Sequence, residues 1–284
     1  MGFAVVTDSA ADINPEEAQR YSISVLPMTI MLDGEEYRDQ VDITSEEFYD
    51  LMNASDNLPK TAQPSPYDFA QVFKKLAAEG ADHIISIHIA AVLSGTAQSA
   101  AIAAEQVDVP VTVIDCCGVT VFQGLVVRYA AELRDKGIPA QEAVARIRRA
   151  IPRIHFRLVP ETLDNLLKGG RLSPLEAKAA GLLNVKPIIT FDEKGVLKVT
   201  SKARGMKGAE NKMRKMVRDA TAEEGIQRIR FTHSRNEKEL SKLKAMLEAD
   251  KVKYVDFGTT PCGATVSTHL GTGAIGIATL AVEE

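Results

Sequence analysis

The stretch Ala91-Val92-Leu93-Ser94-Gly95-Thr96-Ala97-Gln98-Ser99-Ala100 joins an apolar run, His83 to Ala90, to an alanine-rich segment of helical character. Strand, small-residue turn and helix start make an anion site. The first turn of a helix exposes unpaired backbone N–H groups and carries a partial positive charge. Ser94 and Thr96 add hydroxyl donors at the same place. The competing reading makes Ser94 a plain N-cap, a role that serine favours.

Four other places carry residues capable of chemistry. Thr7-Asp8-Ser9 follows the first strand, where α/β sheets gather ligands. Thr61-Ala62-Gln63-Pro64-Ser65-Pro66 reads as a stiff loop with two prolines. Gly169-Gly170-Arg171-Leu172-Ser173 reads as a flexible turn with one arginine. His269-Leu270-Gly271-Thr272-Gly273-Ala274 spaces its glycines so that backbone N–H groups can approach a ligand. Each has a structural alternative. Asp8 and Ser9 could cap the first helix, Thr61 could end a loop, and Gly169-Gly170 could close a helix over Leu163–Lys168. Arg171 could sit in a solvated ion pair and His269 in the core.

The standard catalytic templates fail. Val92 occupies the first glycine position of a nucleophile elbow around Ser94. There is no phosphate-binding loop, dinucleotide fingerprint or H-E-x-x-H zinc motif. His83 and His88, five apart in one strand, point to opposite faces and make a poor metal pair. No metal and no cofactor is expected.

The elements that must position these groups alternate in the first half. Phe3–Thr7, Val25–Leu32, 83–90 and Val111–Cys116 read as strands. Helices open at Asn14-Pro15, at the capping boxes Thr44–Glu47 and Ser65–Asp68, after Ser94, at Val119 and at Pro139. Asp33-Gly34 reads as a turn between strands. This alternation predicts a parallel sheet covered on both faces, a three-layer α/β/α domain over residues 1–155. The second half, 156–284, reads as an α+β domain. Ile154–Val159 is a strand, and Pro187–Phe191 and Val196–Ala203 flank a hairpin turn at Asp192–Gly195. Helices over 206–220 and 235–249 accompany strands Ile229–His233 and Val252–Phe257, giving a mixed or antiparallel sheet. The C-terminal residues Ala264, Val266, Ala274, Ile275 and Ile277 either line a tunnel or form core strands.

Bulk composition narrows the class. The 284 residues carry a net charge of −4 and no tryptophan, and aromatic residues make up 5%. A basic field for nucleic acid and stacking platforms for bases are both lacking. Three cysteines, two of them adjacent, make no disulfide framework. The N-terminus lacks the order of a signal peptide, and no apolar run is long enough to span a bilayer. A cytoplasmic protein with at most transient membrane contact is expected.

Taken together, the motifs resemble those of the DegV family of bacterial fatty-acid-binding proteins, the binding subunits of fatty acid kinase. Thr7-Asp8-Ser9 with Asp12, Thr61-x-Gln63-Pro64-Ser65-Pro66, Leu93-Ser94-Gly95-Thr96-x-Gln98-Ser99-Ala100, Gly169-Gly170-Arg171-Leu172-Ser173 and His269-x-Gly271-x-Gly273-Ala274 occur in the family's order. The resemblance implies a long-chain fatty acid in a tunnel between the domains, its carboxyl near the surface. It implies carboxyl-binding hydroxyls at Thr61 and Ser94, with Gly95 and Thr96 beside them. It implies a histidine of the same network at His269 and a backbone loop at Gly271 and Gly273. Asp8, Ser9 and Arg171 belong to the motifs, and Thr272 could add a donor. It further implies that the chain is no enzyme by itself, that a separate kinase phosphorylates the bound acid, and that Arg204 contacts that partner. The chain departs from the family at Thr272, usually proline, at Ala97, often aromatic, and at Cys116, commonly serine. Two other readings stand beside this one. One is a stand-alone hydrolase or phosphotransferase using Ser94, His269 and Asp8. The other is a carrier of a different acidic amphiphile.

Overall fold

A computed structural model describes residues 2–176 and 185–282. The first half runs β1 (Ala4–Asp8), α1 (Pro15–Arg20), β2 (Ile23–Leu26), β3 (Thr29–Leu32), β4 (Glu35–Arg38), α2 (Ser45–Ala54), β5 (Lys60–Ala62), α3 (Pro66–Ala78), β6 (Ile84–His88), α4 (Thr96–Ala104), β7 (Val111–Asp115), α5 (Val121–Asp135) and α6 (Ala140–Ala150). The second continues β8 (His155–Val159), α7 (Asp164–Lys168), β9 (Val185–Phe191), β10 (Leu197–Arg204), α8 (Gly205–Glu224), β11 (Gln227–His233), α9 (Glu237–Ala249), β12 (Tyr254–Pro261), α10 (Ala264–Leu270) and β13 (Ile275–Ala281).

The first sheet is parallel, in the order β2-β1-β6-β7. Because side chains alternate along a strand, its residues divide between two faces. Val6 and Ile84 pack with Phe69 and Phe73 of α3 and Ala100 of α4. Val5, Ile85 and Ile87 pack with Leu125 and Val126 of α5. This is the expected three-layer arrangement.

The second sheet is mixed, in the order β10-β9-β8-β13-β11-β12. Only β11 and β12 run parallel, joined through α9; the other pairs are antiparallel. One face packs Ile229, Phe231, Ile275 and Ile277 under Met213 and Val217 of α8 and Leu240 and Leu243 of α9. The opposite face turns Phe156, Leu158 and Ala278 toward the first half. Helix α5 lies between the two sheets, and 11 of its 15 residues are buried. Only Arg128, Glu132, Arg134 and Asp135 fall outside that buried set, so most of the helix circumference is core.

The single strand expected over Val25–Leu32 is two. Pro27 lacks an N–H and cannot sustain the ladder. The N–H of Met28 instead donates to the Ser9 hydroxyl at 3.0 Å. The chain then enters a small antiparallel sheet, β4-β3-β5, in which Thr61 stands opposite Ile30. Of the segment expected as a stiff loop, Thr61 and Ala62 end strand β5, residues 63–65 form the loop, and Pro66 opens α3. The C-terminal tract is likewise two elements, α10 and β13, parted by Gly271 and Gly273, both at positive φ. Among the described residues no helix is long and apolar enough to cross a membrane.

Candidate functional site

A cavity of about 540 Å³ lies between the halves, within the range of small-molecule sites. Most of its wall is apolar: Met28, Ile89, Leu93 and Val119 from the first half, Leu158, Leu166, Phe191, Leu197, Val266 and Leu270 from the second. The polar lining groups are Thr61, Gln63, Ser94, Thr120, Arg171, Thr265 and His269.

Three separate elements bring Thr61, His269 and Arg171 together, and the turn before α4 adds Ser94 to the same cavity wall. Strand β5 presents Thr61, and the last turn of α10 presents His269. Thr61 Oγ1 and His269 Nε2 are hydrogen bonded at 3.2 Å. The other ring nitrogen, Nδ1, is buried without a partner. It abuts Gly169, where a Cβ would lie 2.5 Å from it. Gly169 and Gly170 end α7, with Gly170 in the left-handed region, the usual glycine solution for a helix end. The turn delivers Arg171 to the cavity, and its guanidinium donates to the Gly169 carbonyl at 2.6 Å. Burial, aided by the Arg171 charge, pushes His269 down to about 4. The imidazole is therefore neutral at pH 7 and the positive charge at this point is Arg171.

Ser94 does not cap α4. The N-cap is Gly95, with no side-chain cap bond, and Ser94 Oγ instead bonds Thr96 Oγ1 at 2.9 Å. Ser94 and Gly95 line the cavity, whereas Thr96 is fully buried and does not. Gln63 packs over Gly95 so closely that a Cβ there would stand 2.6 Å from Gln63 Oε1. Gln63 Nε2 donates to Ser99 Oγ at 2.9 Å, fixing that side chain.

Deeper in the wall, Thr120 donates to Asp12 at 2.5 Å. The backbone N–H of Thr265 donates to Asp39 at 3.2 Å. The two carboxylates together also receive the N–H groups of Gly263 and Ala264 at the start of α10. Burial pushes Asp12 up to about 7 and also raises Asp39.

Other residues singled out in the sequence lie elsewhere. Asp8 caps the single helical turn Ser9–Ala11 and receives His88 Nδ1 at 2.8 Å and Gln123 Nε2 at 3.1 Å. Ser9 bonds Asp39 at 2.9 Å. Both are fully buried and neither lines the cavity. Gly271, Thr272 and Gly273 do not line it either. Gly273 N donates to Ser234 O and its carbonyl accepts from Asn236, both at 2.6 Å, tying the loop to the end of β11. Arg204 is exposed at the end of β10, away from the cavity. Of the five apolar C-terminal residues expected as lining or core, only Val266 lines the cavity; Ala264, Ala274, Ile275 and Ile277 are core.

A Ser94–His269–Asp8 triad is not assembled: Ser94 bonds Thr96, His269 bonds Thr61, and Asp8 bonds His88. His88 also meets Ser86 Oγ at 2.6 Å, completing a serine–histidine–aspartate chain. All three are buried beyond any substrate's reach, so this chain ties the strands of the first sheet together. Among the described residues no group of three or more His, Cys, Asp or Glu is placed to hold a metal ion.

The sequence reading passed over Gln63, Thr120 and Thr265 as site residues. Gln63 stood inside a quoted motif. The two threonines carried no local signal, because their placement depends on Asp12 and Asp39.

A sequence profile described as an uncharacterised protein, DegV family, matches residues 2–282. The chain belongs to the DegV family. A DegV domain-containing protein of Caldanaerobacter subterraneus is 37% identical over 275 residues, covering 96% of this chain and 97% of that protein. A DegV family protein from Thermus thermophilus, described for its fatty acid binding, superposes with a TM-score of 0.92 at 32% identity, covering 99% of this chain and 100% of that one. DegV of Bacillus subtilis, a fatty acid binding protein, gives 0.90 at 30% identity over 99% and 100% of the two chains.

Proposed function

We propose that this DegV family chain holds one long-chain fatty acid in the cavity. The carboxylate lies among Thr61, Ser94, the Gly95–Thr96 amides, His269 and Arg171. It is then offered to a separate kinase subunit for conversion to an acyl phosphate. The observation that carries the reading is a mostly apolar cavity in which Thr61, one neutral histidine and one arginine stand together. That is the polarity of a single-chain amphiphile with an anionic head.

Magnitudes agree. Each buried methylene contributes about 0.8 kcal/mol, so about 14 of them supply on the order of 11 kcal/mol gross. A hydrogen bond to the charged head adds about 1.5–3 kcal/mol. The tail holds the ligand and the polar cluster orients it. Arg204, exposed outside the cavity, fits a role in contact with the kinase.

Native mass spectrometry of the purified protein, followed by lipid extraction, tests the reading. A stoichiometric fatty acid supports it. A protein that stays empty after incubation with palmitate and oleate overturns it, and another extracted acid would mark a different amphiphile. The kinase step is tested by acyl-phosphate formation from ATP, which should require the loaded protein and a kinase subunit together and weaken with Arg204→Glu.

A further inference from the structure

Phe191 lines the main cavity and also a second one, of about 420 Å³. Its ring stacks on Phe156 with centroids 5.0 Å apart and meets Phe122 edge-on at 5.8 Å. These rings come from β9, β8 and α5, none of which carries a member of the Thr61–His269–Arg171–Ser94 cluster. Of the three, only Phe191 lines the main cavity; Phe122 and Phe156 back it from outside that lining.

The ring is held from behind. Phe191 is the last residue of β9, and the following turn is locked by Asp192, whose carboxylate accepts from Lys194 N and Val196 N, both at 2.9 Å. Gly195 closes the turn at φ +78° and seats it on the first half, where a Cβ would lie 2.7 Å from Ala90 Cβ and 3.1 Å from Cys117 Cα. Beyond the ring, the second cavity has apolar walls from Phe122, Ile151 and Ile154, while Asp115, Asp192, Glu193 and Arg148 form its charged edge. Methylene groups suit the apolar walls, and three carboxylates against one arginine disfavour the fatty acid's own carboxylate there.

We propose that Phe191 ends the acyl-chain compartment, and that the cavity beyond it is a latent subsite for the methyl end of chains too long for the first. This rests on the fatty acid reading above. Removing the ring joins the two spaces; enlarging it shortens the first.

The test uses the full chain as wild type, Phe191→Ala, Phe191→Leu and Phe191→Trp, each loaded from an equimolar series of saturated acids from myristate to behenate. Bound acids are read by native mass spectrometry, and folding by circular dichroism. Phe191→Ala should shift the bound population longer by two or more carbons, and Phe191→Trp should shift it shorter. Each methylene entering the second cavity should strengthen binding about fourfold, the factor equivalent to ~0.8 kcal/mol. Phe191→Leu retains most of the apolar volume and should shift the profile in the same sense as alanine, less far, which covers a folding failure of the alanine variant. A folded variant with the wild-type profile overturns the partition while leaving the fatty acid reading intact. A wild type that takes up none of the acids removes that reading itself.

Discussion

Thr61 and His269 lie 208 residues apart in sequence and share a hydrogen bond across the cavity wall. One comes from a short strand of the first half and the other from the last turn of a helix in the second. Thr61→Val keeps the shape and removes the hydroxyl. The affinity for a fatty acid should fall about tenfold to a hundredfold, the range for losing a hydrogen bond to a charged group. Ser94→Ala should act similarly with little change in melting temperature, whereas Thr61→Val leaves the His269 ring without that partner and should lower it. Isothermal titration with oleate reads the first effect, and thermal unfolding the second.

The charge of Arg171 acts on His269, and its effect on that ring is second only to burial. In Arg171→Met the His269 pKa should rise from about 4 yet stay below the ordinary histidine value, because the ring remains buried. Histidine NMR titration measures this. Fatty acid affinity should drop about tenfold, and its dependence on salt should weaken because a screened charge pair has been removed.

Two glycines are fixed by close approach, not by backbone angle. At Gly95 the obstacle is Gln63, and at Gly169 it is the His269 ring. Gly95→Ala should displace Gln63 from Ser99, and Gly169→Ala should turn His269 away from Thr61. Both should weaken ligand retention while the far-ultraviolet circular dichroism stays unchanged. Loss of the His269–Thr61 hydrogen bond is visible as a changed ring tautomer in NMR.

The buried Asp12 titrates near 7 in the fold, against 3.8 for an ordinary aspartate. A carboxyl with a raised folded pKa stabilises the fold fully below the unfolded value, and that contribution is lost as pH rises through the folded one. His269 has the opposite sign, since its depressed pKa adds stability as pH rises from about 4 toward 6.5. Comparing Asp12→Asn with the parent isolates the first effect. The parent should lose stability relative to the variant between pH 4 and 7, by a few kcal/mol in total, as urea unfolding at several pH values would show.

Much of this molecule could be read along the chain. The capping boxes at Thr44 and Ser65 open helices as expected, with both reciprocal bonds formed. The hairpin turn at Asp192–Gly195 and the parallel order of the first sheet also follow from local chemistry. The break at Pro27 was local too, yet it was overlooked because the apolar pattern continues across it. Other features were not local. Asp8 stood at a strand end, where ligands gather, but His88 and Gln123 claim it. Gly271-Thr272-Gly273 looked like a ligand loop, but Ser234 and Asn236 hold it. In each case a partner far away in sequence decided the outcome, and short-range pattern carries no record of such partners.

Helix α5 packs against the parallel sheet on one side and the mixed sheet on the other, and Arg230 from β11 is buried against Glu17 and the Asp12 carbonyl across the same seam. A clamshell opening would strip that helix of half its neighbours and leave a guanidinium unpaired. Access to the cavity is then expected at its rim, where Val92 both lines it and is 55% exposed. The two sheets should therefore melt in a single cooperative step.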